Sequence, residues 1–181
     1  MSHKLGNSSD EQVLLRPITL WAAHSAEEAL AVFERAHPED ARPRDAIVAA
    51  QAFASGKKRD NSLRMAAFAA MKAAKDIDDP SKYAARAAVL TAAVAYTHTD
   101  LLTGDQGVRQ AQHILGPVVY AALAVEAAAH DPNVGDDLLC RAIEGAPHEA
   151  VSILQHMPPQ PVKENRKDIL FARLDAALRQ H

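Results

Sequence analysis

Residues 17–36, PITLWAAHSAEEALAVFERA, set their apolar members on a helical spacing. Ile18, Trp21, Ala22, Ala26, Ala29, Leu30 and Phe33 recur three or four positions apart, while Glu27, Glu28, Glu34 and Arg35 take the other face. Such a helix is amphipathic and buries one side on a core. Trp21 falls on the buried stripe, which makes it a core residue more than a binding anchor, with His24 one turn further on. Pro17 suits a first helical turn, where its missing amide costs no hydrogen bond. The helix is therefore expected from about Pro17, with residues 1–16 a disordered lead-in. MSHKLGNSSDEQ has no apolar run after Lys4 and does not read as a secretory signal.

Outward from this helix the punctuation repeats. HPEDARPRD interrupts the pattern, and a second helix runs from about Pro43 to Ser55, ending at Gly56, with Ile47, Ala50, Phe53 and Ala54 as its buried edge. Asn61 or Ser62 can cap a third helix reaching about Lys75, whose stripe is Leu63, Ala66, Ala67, Ala70, Met71 and Ala74. Asp79-Pro80 starts a fourth, which places Tyr83, Ala87, Leu90, Val94, His98 and Leu101 on one face and turns His98 inward.

After TGDQG a fifth helix, about Val108 to His130, is apolar around more than one face and should be central. Gly116-Pro117 lies inside it, and a kink near His113 would free a backbone carbonyl. Shorter helices near 136–144 and 147–156, the proline-rich MPPQPVKEN and a closing helix near 166–180 complete the chain. Nothing reads as a strand. The expected fold is all-α: a single irregular bundle of about seven or eight helices, with a proline-kinked central helix, forming one domain over residues 17–181.

Composition agrees with that class. The 181 residues are 48% hydrophobic, 4% aromatic and 24% charged, with seven glycines and abundant alanine, which favours closely approaching helix axes over hairpins. Trp21, Phe33, Phe53, Phe68, Tyr83, Tyr120 and Phe171 are expected to supply much of the buried area. No run reaches the roughly 18 apolar residues of a membrane span. The lone Cys140, beside Leu138 and Leu139, reads as a reduced thiol in a core, and the expected address is the cytoplasm.

A net charge of −3 and a pI near 6.3 argue against a nucleic-acid partner. Two small basic clusters remain. Arg42 and Arg44 flank Pro43 and are candidate ligand or partner contacts; Lys57, Lys58 and Arg59 follow Gly56, where a helix C-terminus accounts for them. Acidic residues at helix ends, among them Asp76, Asp78, Asp79, Asp136, Asp137, Glu144 and Glu149, are explained by capping, though a contiguous acidic surface would suit a basic partner.

Fixed-spacing catalytic motifs are absent: no GxxxxGK with a following Ser or Thr, no GxGxxG, GxSxG, HExxH or CxxC. Histidine is the one unusual resource, at nine residues. His98, with Asp100 beside it, and His113 at the expected kink approach one point if the fourth and fifth helices pack antiparallel. They are candidate contacts for a ligand or partner, and candidate metal ligands. The structural reading, an imidazole hydrogen-bonded to the carbonyl freed by Pro117, is favoured for His113.

Four stretches carry a family resemblance: LWAAHSAEEALAVFERAHPEDARPRDAIVAAQAFASG, AAVAYTHTD, QHILGPVVYAALA and VSILQHMPP with the closing ARLDAALR. Together they resemble the immunity-5-like helical family of bacterial immunity proteins, over about Leu20 to Leu178. The resemblance implies an all-helical bacterial protein that neutralises a toxin by binding it, and it supplies no catalytic residues. Some relatives carry exonuclease-type names, yet this chain lacks the nucleotide-binding motif of such an ATPase subunit.

Two functions follow as expectations. The first is a non-enzymatic immunity-type protein whose partner is a cognate toxin, with no cofactor and no membrane, a homodimer remaining open. The second is a small-molecule- or metal-binding helical enzyme or sensor using His98, Asp100 and His113.

Overall fold

The computed structural model describes residues 8–75, 77–97 and 103–180. Among them eight helices are present: α1 (Ser8–Ala36), α2 (Arg42–Ala54), α3 (Asn61–Lys75), α4 (Ser81–Val94), α5 (Gly104–Ala129), α6 (Pro132–Glu144), α7 (His148–Gln155) and α8 (Arg166–Leu178). The described residues contain no strand. α5 is the hub, packing on α1, α4, α6 and α8, while α1 also meets α2, α4 and α7. One apolar core draws on all eight helices, from Leu15, Ile47, Leu63 and Ala84 to Leu115, Leu138, Leu154 and Leu174. α5 is long and apolar enough to cross a membrane by length and composition, but 67% of its most apolar window is buried here, as in a core helix.

Helix ends follow local chemistry. Gly56, at φ +116°, closes α2 with Lys57 N–H donating to the Ala52 carbonyl (2.9 Å) and Gly56 N–H to that of Phe53 (3.0 Å). Asp60, one residue before the expected Asn61 or Ser62, caps α3 by accepting from Ser62 N–H (2.9 Å) and Leu63 N–H (3.2 Å). These bonds and the Ser62 hydroxyl hold its carboxyl down at about 2. Asp79 accepts from Ser81 N–H (2.7 Å) at the start of α4, and Asn165 from Asp168 N–H (2.9 Å) at the start of α8.

Several expectations change. α1 begins at Ser8, so residues 8–16 are helical and not a disordered lead-in, and Pro17 sits inside the helix instead of in its first turn. Fully buried Leu15 gives that extra length an apolar anchor, and the carbonyl orphaned by Pro17 belongs to exposed Val13, on the solvent side. α4 stops at Val94, four residues short of His98, because the chain tightens into a turn with Tyr96 N–H on Ala93 and Thr97 N–H on Val94. α6 starts at Pro132, capped by Asp131, and buries Gly135, Leu138, Leu139 and Ala142. Cys140 falls off that stripe and is exposed, not a core thiol.

Phe68 is 48% exposed and Met71 49%, against their expected places in the interior. α3 is an outer helix whose contact seam, Leu63, Ala70, Ala73 and Ala74, is narrower than its apolar stripe. Trp21, in contrast, is in the core and donates Nε1–H to the Ala142 carbonyl at 2.8 Å.

Candidate functional site: a basic groove around Tyr120

The residues singled out from sequence do not form one constellation. His98 and Asp100 lie outside the described residues. His113 is on α5 but exposed, with its ring at a recess of about 220 Å³ lined also by Leu90, Arg109, Gln112, Tyr120, Lys167 and Phe171. It is not the enclosed imidazole expected from the proline kink. Apolar neighbours still strip enough water from the ring to hold its pKa below the ordinary histidine value. Among the described residues no three His, Cys, Asp or Glu side chains gather as a metal site.

Arg42 and Arg44 are both engaged by carboxylates. Arg42 Nε and Nη2 donate to the two oxygens of Asp40 at 2.8 and 2.6 Å, and this fork holds the Asp40 carboxyl below its usual range. Arg44 Nε donates to Glu34 at 2.6 Å. The open recess beside them, about 590 Å³, also presents Glu39 and Asp45, so an anion entering it would meet carboxylates. In the basic run after α2, two of the three cations are likewise engaged: Lys57 lies 3.4 Å from Asp60, and Arg59 donates to the Ala95 carbonyl at 2.9 Å over the Tyr96 ring.

A different face has the features of a binding surface. α3, α4 and α5 enclose a groove of about 630 Å³ lined by Met71, Ala74, Val89, Leu90 and Tyr120, with Lys72, Lys75 and Arg86 at its rim. Two shallower recesses share its residues: one runs past Arg86 and Tyr120 to Lys82, Tyr83, Leu123 and Lys167, the other is the His113 recess. All three meet at Tyr120, and among the described residues no aspartate or glutamate lines them.

Stacked rings form the floor. Tyr83 and Tyr120 lie 6.3 Å apart at 29°, and Tyr120 meets Phe171 edge-on at 6.4 Å. Cations sit on these rings: Arg86 is 5.7 Å from the Tyr120 centroid and Lys82 5.5 Å from that of Tyr83. Arg166, at one edge, is tied to Glu126 and Asp136, each at 2.7 Å, which raises its own pKa and lowers that of Asp136. Lys82 has a loose pair with fully exposed Asp78 at 3.8 Å. Among the described residues no carboxylate pairs with Lys72, Lys75, Arg86, Arg109 or Lys167.

Met65, Phe68 and Met71 extend the apolar surface along the outer side of α3. The face can hold an apolar group and anionic groups together. Its one legible signal in the sequence was this run of large apolar residues at three-residue steps, wider than the seam that α2 and α4 cover.

No curated protein matches this chain, and no solved structure does. One family matches, over residues 9–104, with the description "Imm-5 like putative immunity protein". The matched segment contains two of the four resembling stretches, from Leu20 to Gly56 and from Ala92 to Asp100, and ends as α5 begins. With more than half of its length so matched, the chain belongs to the Imm-5 like family.

Proposed function

We propose that this protein neutralises a cognate bacterial toxin by binding it, without catalysis of its own, in the cytoplasm. Membership of the Imm-5 like family supports this reading. The observation that carries the reading is the Tyr120 face, where exposed methionine and aromatic side chains stand beside cations that no carboxylate of the described residues neutralises. Methionine, aromatic and arginine side chains are the types that dominate the energetics of protein interfaces, and methionine adapts its shape to what it meets.

Co-expression with a toxin found encoded beside this gene tests the reading. Growth rescue and a complex of one protein with one toxin on size-exclusion chromatography are expected. A toxin whose activity is unchanged by molar excess of the purified protein would overturn it. The other reading, a metal- or small-molecule-binding protein using His98, Asp100 and His113, has the His113 recess in its favour. Elemental analysis of the purified protein, with His113→Ala as comparison, separates it from toxin binding.

A further inference from the structure

Resting on the toxin-binding reading, we infer that the Tyr120 groove docks an acidic segment of the partner protein, with an apolar side chain of that segment seated against Met71, Leu90 and Tyr120. The protein as a whole is acidic, at net charge −3, yet this face is basic. Lys72 and Lys75 come from α3, Arg86 from α4, Arg109 from α5 and Lys167 from α8, so among the described residues separate helices bring one sign of charge to three recesses that meet at Tyr120. Concave surfaces of one sign focus the field and draw the opposite charge. A basic partner would meet like charge here and would gain nothing from the groove.

The cations ring the groove and its centre is apolar, about 630 Å³ in volume, which is room for large side chains more than for a bare anion. Nucleic acid would need a denser basic track, at odds with a pI near 6.3. The occupant that matches both halves of the site is a protein segment bearing Glu or Asp around a leucine or aromatic anchor.

The test uses the full chain and a fluorescein-labelled helix-forming peptide of about 18 residues, five helical turns, with leucine on one face and glutamate elsewhere. A twin with lysine in place of glutamate and a DNA duplex serve as the other probes. Saturable binding of the glutamate peptide is expected, weakening as salt rises from about 0.05 to about 0.5 M. The double variant Lys72→Glu with Lys167→Glu, both exposed positions, should bind about tenfold more weakly. Arg35→Glu, exposed near the end of α1, should bind as the parent does.

Equal binding of the lysine twin, preference for DNA, or an unaffected double variant would overturn the inference. The same double variant is then tested against the toxin. If toxin binds parent and variant alike, the groove assignment falls and the toxin reading stands. If the glutamate peptide binds but toxin does not, the groove stands and the toxin reading falls.

Discussion

Gly116 in α5 and Gly135 in α6 are both buried in helix interiors, and alanine at either would favour the helix by about 1 kcal/mol. What the added methyl group meets makes the outcomes diverge. At Gly116 it approaches Leu90 Cδ1 at 2.6 Å, and the next atoms, also of Leu90, lie at 3.7 Å or beyond. Leu90 is half-buried beside the groove and can rotate its side-chain end into it. The helix gain then offsets the local strain, and Gly116→Ala should stay within about 1 kcal/mol of the parent.

At Gly135 the methyl group would stand 2.9 Å from the Ala122 carbonyl oxygen and 3.0 Å from Glu126 Cβ, and would crowd the Glu126 carboxylate. Backbone of α5 cannot turn aside as a leucine can. Overpacking costs about 1–3 kcal/mol, and the displaced Glu126 would weaken its bond to Arg166, a charged hydrogen bond typically contributing about 1.5–3 kcal/mol. After subtracting the helix gain, Gly135→Ala should lose about 2 kcal/mol, or about 4–8 °C in Tm for a chain of this length. Urea and thermal unfolding, followed by Trp21 emission and helical circular dichroism, measure both variants. If Gly135→Ala is as stable as the parent, or the two variants respond alike, then α5 and α6 do not touch backbone to backbone at this crossing.

Trp21→Phe keeps most of the buried ring but leaves the Ala142 carbonyl without its donor, so a loss of about 1–3 kcal/mol is expected by circular dichroism; an unchanged midpoint would remove α1 and α6 from direct hydrogen bonding. The His113 pKa lies below its unfolded value, so the folded state binds fewer protons: its contribution is full above about pH 6.5 and declines as pH falls through 6.5 toward the folded pKa. The imidazole proton shift in a nuclear magnetic resonance titration should give a midpoint below 6.5, and His113→Gln should flatten stability across that window; a midpoint at or above 6.5 contradicts the desolvation of the ring. Native protein should react with one equivalent of a thiol reagent such as Ellman's without denaturant, because Cys140 is exposed; labelling only after unfolding would return it to the core.

Helical class and the helix sequence along the chain were legible because each stripe repeats at the helical period and each break carries Pro, Gly or Asp. Termini were less so. Pro17 has the signature of a helix start, but burial of Leu15 outweighs one missing amide. Burial failed where a helix face is wider than its contact: Phe68 and Met71 continue the stripe of α3 past the seam that α2 and α4 cover, and Cys140 borders Leu138 and Leu139 in sequence yet lies across the helix from their shared face. The groove was invisible for a different reason. Its cations lie singly or in pairs on separate helices, and only packing around Tyr120 brings them together, whereas the basic clusters that do stand out in sequence are spent on Asp40, Glu34 and Asp60. The histidine pair remains an expectation from spacing, since His98 lies outside the described residues.

Trp21 reaches from the matched family segment across 121 positions to the Ala142 carbonyl, and α5, which lies almost wholly beyond that segment, packs on both α1 and α4. A fragment cut at residue 104 would therefore bare the sides of α1 and α4 that α5 covers, leave the Trp21 indole without its acceptor, and should aggregate more readily than the intact chain. Whatever diversity arises among such chains has to respect this: the later helices are free to vary at their surface, but each must still bring a plug of the right shape to the hollow that the first four leave open.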